Sequence, residues 1–334
     1  MNDFWKASPE LGGRLEGILA LMDESLRSPG FPLAEEVSGI VRANGKLLRP
    51  ALLVIGSRFG KAGARVDEAR VDALAAAVEL LHVATLIHDD VIDEAELRRG
   101  RPTLHTRFGQ KEAVLAGDWL FSRCFRLAAE SAGPGNAQAL ARLIGAICAA
   151  EIEQDLGARR YSTSVRRYYR TIAGKTAALF SLALHAGAAE AKAPARTAQA
   201  LRRAGYDIGM AFQIIDDILD CESSPGELRK PVGSDLREGL CTLPLIHALR
   251  AERGAPALRP LLERLAAAPK GGSESGTLVA EILALIAESG GIELSRRAAR
   301  LFTERAQAEI ATLPALPARA ELEALAARLL DRAY

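Results

Sequence analysis

The stretch Asp89-Asp90-Val91-Ile92-Asp93 recurs with identical spacing as Asp216-Asp217-Ile218-Leu219-Asp220. Apolar runs lead into both, Leu86-Ile87 in the first case and Ile214-Ile215 in the second. At helical spacing the first and last acids of each cluster are i,i+4 and the second and last i,i+3, so each cluster gathers its carboxylates on one face of a helix. A lone D-D-x-x-D reads as a solvated acidic helix face. Two copies preceded by Leu and Ile read differently, because clustered carboxylates repel one another and lose hydration beside apolar neighbours unless a cation neutralises them. Hard oxygen donors suit Mg²⁺, which keeps water and shares its octahedral shell with phosphate oxygens. The expectation is therefore a phosphorylated substrate held through metal ions by Asp89, Asp90, Asp93, Asp216, Asp217 and Asp220.

Outward from these clusters, the composition favours helix. Of 334 residues 49% are hydrophobic and only 5% aromatic, Ala and Leu abound, and long β-branched runs are absent. The punctuation at Ser28 to Pro32, Gly133 to Asn136, Pro225-Gly226, Gly254 to Pro256, Pro269 to Gly276 and Pro314 to Pro317 is short and widely spaced, as helix-to-helix turns are. No linker divides the chain, so residues 1–334 are expected to form a single all-α domain. A net charge of +1 without a dominant basic segment speaks against nucleic acid as a partner. No basic region followed by an apolar run opens the chain and no apolar stretch is read as a membrane span, so a cytoplasmic protein without a transmembrane segment is expected. Cys124, Cys148, Cys221 and Cys241 form no C-x-x-C pair and are read as buried thiols.

Basic groups cluster around the acids. Arg98-Arg99 lead into Gly100-Arg101-Pro102-Thr103, where glycine and proline are expected to end the helix, and bidentate guanidinium contacts there would suit phosphate oxygens. Others stand at Gly45-Lys46-Leu47-Leu48-Arg49-Pro50, Gly174-Lys175-Thr176 and Lys230-Pro231-Val232-Gly233-Ser234-Asp235. Six carboxylates and a diphosphate cannot share a cleft without several cations. Gly56-Ser57-Arg58-Phe59-Gly60-Lys61-Ala62 is not a P-loop: it is one residue short, lacks Ser or Thr after lysine, and no strand feeds it.

From about Gly45 to about Leu245 the ordered motifs G-K-x-x-R-P, D-D-x-x-D with its arginines, G-K-T, F-Q-x-x-D-D-x-x-D and K-P-x-G-S-D resemble the trans-type isoprenyl diphosphate synthases, the polyprenyl synthetase family. The resemblance implies an all-α isoprenoid synthase bundle around a deep cavity, paired as a homodimer, with about three Mg²⁺ ions per site. It implies Asp89, Asp93 and Asp216 as direct metal ligands, with Asp90, Asp217 and Asp220 completing the claws. Arg98 resembles the arginine that holds the allylic diphosphate (farnesyl or geranyl), and Lys175, Thr176, Gln213 and Lys230 look like further contacts to it. Lys46, Arg49, His82 and Arg99 resemble the group that binds isopentenyl diphosphate. The implied reaction is ionisation of the allylic diphosphate and attack of the isopentenyl double bond, in a cavity closed to water. Relatives that stop at short products carry bulky aromatics before the first aspartate. Here Ala84 and Thr85 are small, and Leu81, Val78 and Ala77 precede them, which implies a long-chain, hepta- to octaprenyl product rather than a farnesyl or geranylgeranyl one. Leu240 replaces a lysine common in relatives, and Arg229 a glycine. Terpene cyclases and head-to-head synthases do not need the isopentenyl site. A non-catalytic partner subunit of a heteromeric synthase would be expected to lose aspartates from the claws, and all six are present.

Overall fold

The protein was analysed as a computed structural model, in which residues 3–27, 30–43, 45–61, 63, 65–98, 100–131, 134–161, 163–222, 232–251, 254–268 and 273–330 are described. Helices dominate them. In chain order these are α1 (Pro9–Leu26), α2 (Ala34–Ala43), α3 (Leu48–Ser57), α4 (Glu68–Ile92), α5 (Leu104–Phe108), α6 (Gln110–Ser131), α7 (Pro134–Asp155) and α8 (Val165–Ile172). A π-helical turn, Ala173–Ala177, leads into α9 (Ala178–Glu190). Then follow α10 (Ala195–Glu222), α11 (Ser234–Glu238), α12 (Leu243–Arg250), α13 (Gly254–Ala267), α14 (Ser273–Glu288), α15 (Gly291–Ala311) and α16 (Pro317–Leu330). The only extended pairing among the described residues is a short antiparallel hairpin, Leu97–Arg98 with Arg101–Pro102.

Of the expected turns, residues 30–32 lie between α1 and α2 and 314–316 between α15 and α16, whereas 134–136 and 254–256 form the first turns of α7 and α13; Ser28 and Gly133 lie outside the described residues. Pro225-Gly226 lies outside the described residues, as does Pro269 with its next three neighbours; α14 begins at Ser273.

The residues group into two compact units, one of residues 1–142, 179–205 and 312–322, the other of residues 143–178, 206–311 and 323–334. Of the five divisions, those at 142/143, 178/179, 205/206 and 322/323 fall inside helices and that at 311/312 at the end of α15.

In the first unit α4 is the hub, packed by α1, α2, α3, α5 and α6. Its start is set by Asp67, whose side chain accepts the Arg70 amide at 3.2 Å. From Ala73 to Leu81 every residue is buried, so the helix has no solvent face there and its apolar pattern is continuous rather than striped. That corrects one expectation. By length and composition α4, and the run Val165–Glu190, would suffice to cross a membrane, but 72% and 56% of those windows are buried inside the protein, and the Ala and Leu serve the core. Helices α3 and α9 cross with backbones touching: a Cβ on Gly56 would lie 2.4 Å from the Leu184 carbonyl oxygen, and one on Gly187 2.0 Å from that of Leu53.

The second unit is organised by α12, which packs on α8, α13, α14 and α15. Thr242 precedes it in an extended conformation and Pro244 sits in its first turn, where the missing amide hydrogen is not needed. Of the four cysteines only Cys124 is buried; Cys148 is exposed, contrary to expectation, Cys221 and Cys241 are intermediate, and all four are free.

Candidate active site

The first aspartate cluster closes α4. Asp89 and Asp90 stand in the last turn and Asp93 is the residue that ends the helix, its amide donating to the Asp89 carbonyl at 2.8 Å. Beyond it Glu94 adopts the left-handed conformation (φ 53°), and the amides of Glu94 and Ala95 donate back to the carbonyls of Val91 and Asp90 at 3.3 and 3.0 Å. This is the pattern of a Schellman motif, with Glu where glycine is usual. The helix was expected to continue to the arginines; instead it stops at the acids, and Arg98 stands on the hairpin, turned by Gly100 (φ 76°). From there the Arg98 Nε donates to Asp90 Oδ1 at 2.7 Å, and Asp90 is 6% exposed. Asp89 is half-buried and Asp93 exposed. Carboxylates at a helix C-terminus meet its negative end, a position that costs stability unless a cation is near.

The second cluster lies within α10, and its acids have different company. Asp216 is exposed, whereas Asp217 is 4% exposed. The Tyr168 hydroxyl donates to Asp217 Oδ2 at 2.6 Å, and Gln213 Nε2 to Oδ1 at 2.9 Å. Burial pushes the Asp217 carboxyl up to about 6, against the lowering effect of those two hydrogen bonds, with the charge of Asp220 adding to the rise. Burial also holds the Tyr168 phenol well above its ordinary range, and the neighbouring Asp217 charge adds to that. Asp220 faces the turn before α11: Ser234 donates to its Oδ1 from both amide and hydroxyl (3.1 and 2.8 Å), and the Asp235 amide donates to Oδ2 at 3.2 Å.

Beside this cluster the π-helical turn carries Lys175 and Thr176. Insertion of one residue into a helix re-aims the side chains around it, and such turns are frequent at functional sites. Thr176 Oγ1 donates to Gln213 Oε1 at 2.7 Å, and Lys175 Nζ pairs with Glu151 of α7 at 3.0 Å.

The groups expected to hold isopentenyl diphosphate belong to the first unit. Lys46 Nζ lies 4.6 Å from the centre of the Phe4 ring, and its carbonyl accepts from Trp5 Nε1 at 2.8 Å. Arg49, in the first turn of α3, stacks over Phe180 at 5.2 Å. His82 is half-buried two turns before Asp89, and its carbonyl accepts the Thr85 hydroxyl at 2.8 Å. Arg99, Lys230 and Arg229 lie outside the described residues. Ala77, Val78, Leu81 and Ala84 are fully buried; among the residues expected to gate chain length only Thr85 keeps accessible surface.

The identical spacing thus yields unlike carboxylates. Asp93 and Asp216 are exposed and Asp89 and Asp220 half-buried, while Asp90 and Asp217 are buried and accept from protein donors. Among the described residues no group of three or more His, Cys, Asp and Glu side chains is gathered as a metal cage. That donor set fits a hard cation which completes its shell with water and substrate oxygens better than one needing an all-protein cage. Sequence reasoning missed Tyr168 and Glu151, and quoted Ser234 only within the K-P-x-G-S-D motif, without a role. Tyr168 meets Asp217 across 49 positions of chain, and the sole signal was a pair of tyrosines in a chain poor in aromatics.

Comparison with known proteins places the chain in a family. The model of the family described as "Polyprenyl synthetase" matches residues 32–275. A "Heptaprenyl diphosphate synthase component 2" from Geobacillus stearothermophilus is 36% identical over 313 residues, 94% of this chain and 94% of the relative. Among solved structures, geranylgeranyl pyrophosphate synthase from Lactobacillus brevis superposes with a TM-score of 0.89 at 33% identity, covering 98% of this chain and 99% of that one. A polyprenyl synthase from Caulobacter crescentus, complexed with calcium and isoprenyl diphosphate, gives 0.85 at 33% identity over 97% and 95% of the two chains. The chain belongs to the polyprenyl synthetase family, a family of prenyltransferases with an all-helical fold.

Proposed function

We propose that this protein is a Mg²⁺-dependent polyprenyl diphosphate synthase that adds isopentenyl diphosphate units to an allylic diphosphate, giving an all-trans, hepta- to octaprenyl product. The observation that carries this reading is the pair of aspartate clusters of identical spacing, each with a buried member held by protein donors. Asp89, Asp93 and Asp216 would hold Mg²⁺, which supplies charge stabilisation as the allylic C–O bond breaks. Arg98, Lys175, Thr176, Gln213 and Lys230 would bind the allylic diphosphate, and Lys46, Arg49, His82 and Arg99 the isopentenyl one. Each basic group offsets part of the negative charge that accumulates on the departing diphosphate. Apolar packing along α4 keeps water from the reacting carbon.

Small residues at Ala84 and Thr85 support a long product, as does the heptaprenyl activity in the relative's name. A chain growing past Thr85 along α4 must part the packed side chains of Leu81, Val78 and Ala77. We further propose that the chain acts as one domain in a homodimer in the cytoplasm. Leu115 and Phe125 of α6 are exposed apolar residues that a second copy would cover.

The test is incubation of the purified protein with labelled isopentenyl diphosphate, farnesyl diphosphate and Mg²⁺, with chromatography of the dephosphorylated products. A ladder ending in the hepta- to octaprenyl range supports the proposal in full. A stop at geranylgeranyl length, or at farnesyl length when geranyl diphosphate replaces farnesyl diphosphate as primer, moves the block above Thr85 and makes the protein a short-chain synthase. No incorporation with any primer would sink the catalytic reading in favour of a partner subunit.

A further inference from the structure

We propose that Tyr168 is a positioning residue for the allylic diphosphate site: through Asp217 and Gln213 it holds the Lys175–Thr176 turn in place against the second aspartate cluster. This rests on the synthase reading above and extends it to a residue that motif matching does not reach.

Asp217 accepts at both oxygens, from the Tyr168 hydroxyl and from Gln213 Nε2. With its amide nitrogen committed to Asp217, Gln213 presents its oxygen to Thr176, whose hydroxyl donates to it at 2.7 Å. The chain Tyr168, Asp217, Gln213, Thr176 is therefore polarised in one sense, and fixing any member fixes the next. Thr176 belongs to the π-helical turn, so the chain ends on the segment that aims Lys175. That turn is held from its other side as well. Gly174 packs so closely on α7 that a Cβ there would lie 2.8 Å from the Ala150 Cβ, and Lys175 pairs with Glu151 one residue further along the same helix.

Stability alone is a poor reason for this arrangement. An ionised carboxylate buried beside a tyrosine costs more desolvation than an apolar pair of the same volume, and replacing such groups by apolar ones is often neutral or stabilising. What the tyrosine supplies is orientation. Its single proton fixes Asp217 Oδ2, which keeps Oδ1 on Gln213 Nε2. In contrast to Tyr168, the neighbouring Tyr169 packs edge-on against Phe302, with ring centres 5.6 Å apart, and is half-buried. It provides a control of like size one residue away.

The experiment compares Tyr168→Phe and Tyr169→Phe with the unaltered full-length protein, using labelled isopentenyl diphosphate, farnesyl diphosphate and Mg²⁺. Loss of one hydrogen bond to a charged group should raise KM for farnesyl diphosphate by about five- to tenfold in Tyr168→Phe. KM for isopentenyl diphosphate should stay within about twofold, and Tyr169→Phe should match the unaltered protein on both substrates. Hydrogen exchange of the amides from 173 to 178 should quicken in Tyr168→Phe while α12 keeps its protection. Unaltered constants and exchange in Tyr168→Phe would overturn the proposal. So would equal shifts for both substrates, or failure of this variant to fold at 10 °C, either of which assigns the tyrosine to stability. If the unaltered protein itself incorporates nothing, the synthase reading fails first; the exchange experiment then still decides whether Tyr168 holds the turn.

Discussion

The two aspartate clusters share one spacing and differ in how the protein balances their charge. At the first, a cation does it: Arg98 reaches from the hairpin to Asp90. At the second, neutral donors do it: Tyr168 and Gln213 on Asp217, and the Ser234 hydroxyl with two backbone amides on Asp220. Lys175 lowers the Asp217 carboxyl less than the two hydrogen bonds do and is itself paired with Glu151. The difference is one of means: an ion pair holds Asp90 in the first cluster, and hydrogen bonds from neutral groups hold Asp217 and Asp220 in the second.

The largest expected effect treats the clusters alike. Asp89→Ala and Asp216→Ala should each lower kcat on the order of 10³-fold, measured by isopentenyl incorporation at saturating Mg²⁺, as loss of a group that holds transition-state charge does. A variant retaining more than a tenth of the activity would remove that aspartate from the set of metal ligands.

The next effect separates them by pH. Folding raises the Asp217 carboxyl from 3.8 to about 6, so the folded form binds a proton more tightly than the unfolded one. The stability this contributes is complete below about 3.8 and is lost as pH rises through about 6. Without metal, the melting temperature of the unaltered protein relative to Asp217→Asn should therefore fall between pH 4 and 6.5, and added Mg²⁺ should restore it. A constant difference across that range would break the contrast between the clusters.

Smaller changes sharpen it. Asp90→Asn keeps the shape but removes the charge facing Arg98, and should cost about 1.5–3 kcal/mol in chemical denaturation, with little change in the pH profile. Ser234→Ala deletes one of three donors to Asp220 and should cost about 1 kcal/mol, since two backbone amides remain. If Ser234→Ala proves the costlier of the two, the second cluster leans on hydrogen bonds more than the first does on its ion pair.

The helical fold and both clusters were legible because a carboxylate spacing that repeats within apolar segments is a local, periodic signal. The end of α4 was not. Glu94 takes a left-handed conformation that sequence reading assigns to glycine, so the helix seemed to run on to Arg98 when a hairpin intervenes. Buried polar partners were also invisible, because Tyr168 and Asp217, or Ser234 and Asp220, are brought together by packing rather than by spacing. The membrane-length apolarity of α4 was overlooked in the sequence: an all-round buried helix and a bilayer span satisfy the same composition, and only its neighbours tell them apart.

The crossing of α3 and α9 carries a consequence for anyone surveying substitutions across this chain. Arg49 stands on α3 and stacks on Phe180 of α9, so its place is set by how near those two helices come. That nearness is granted by Gly56 and Gly187, positions with nothing to offer a substrate. Loss of affinity for a diphosphate should therefore map to sites that could never touch one, and a catalogue of harmful variants would trace the bare backbone seam as clearly as the charged groups it aligns.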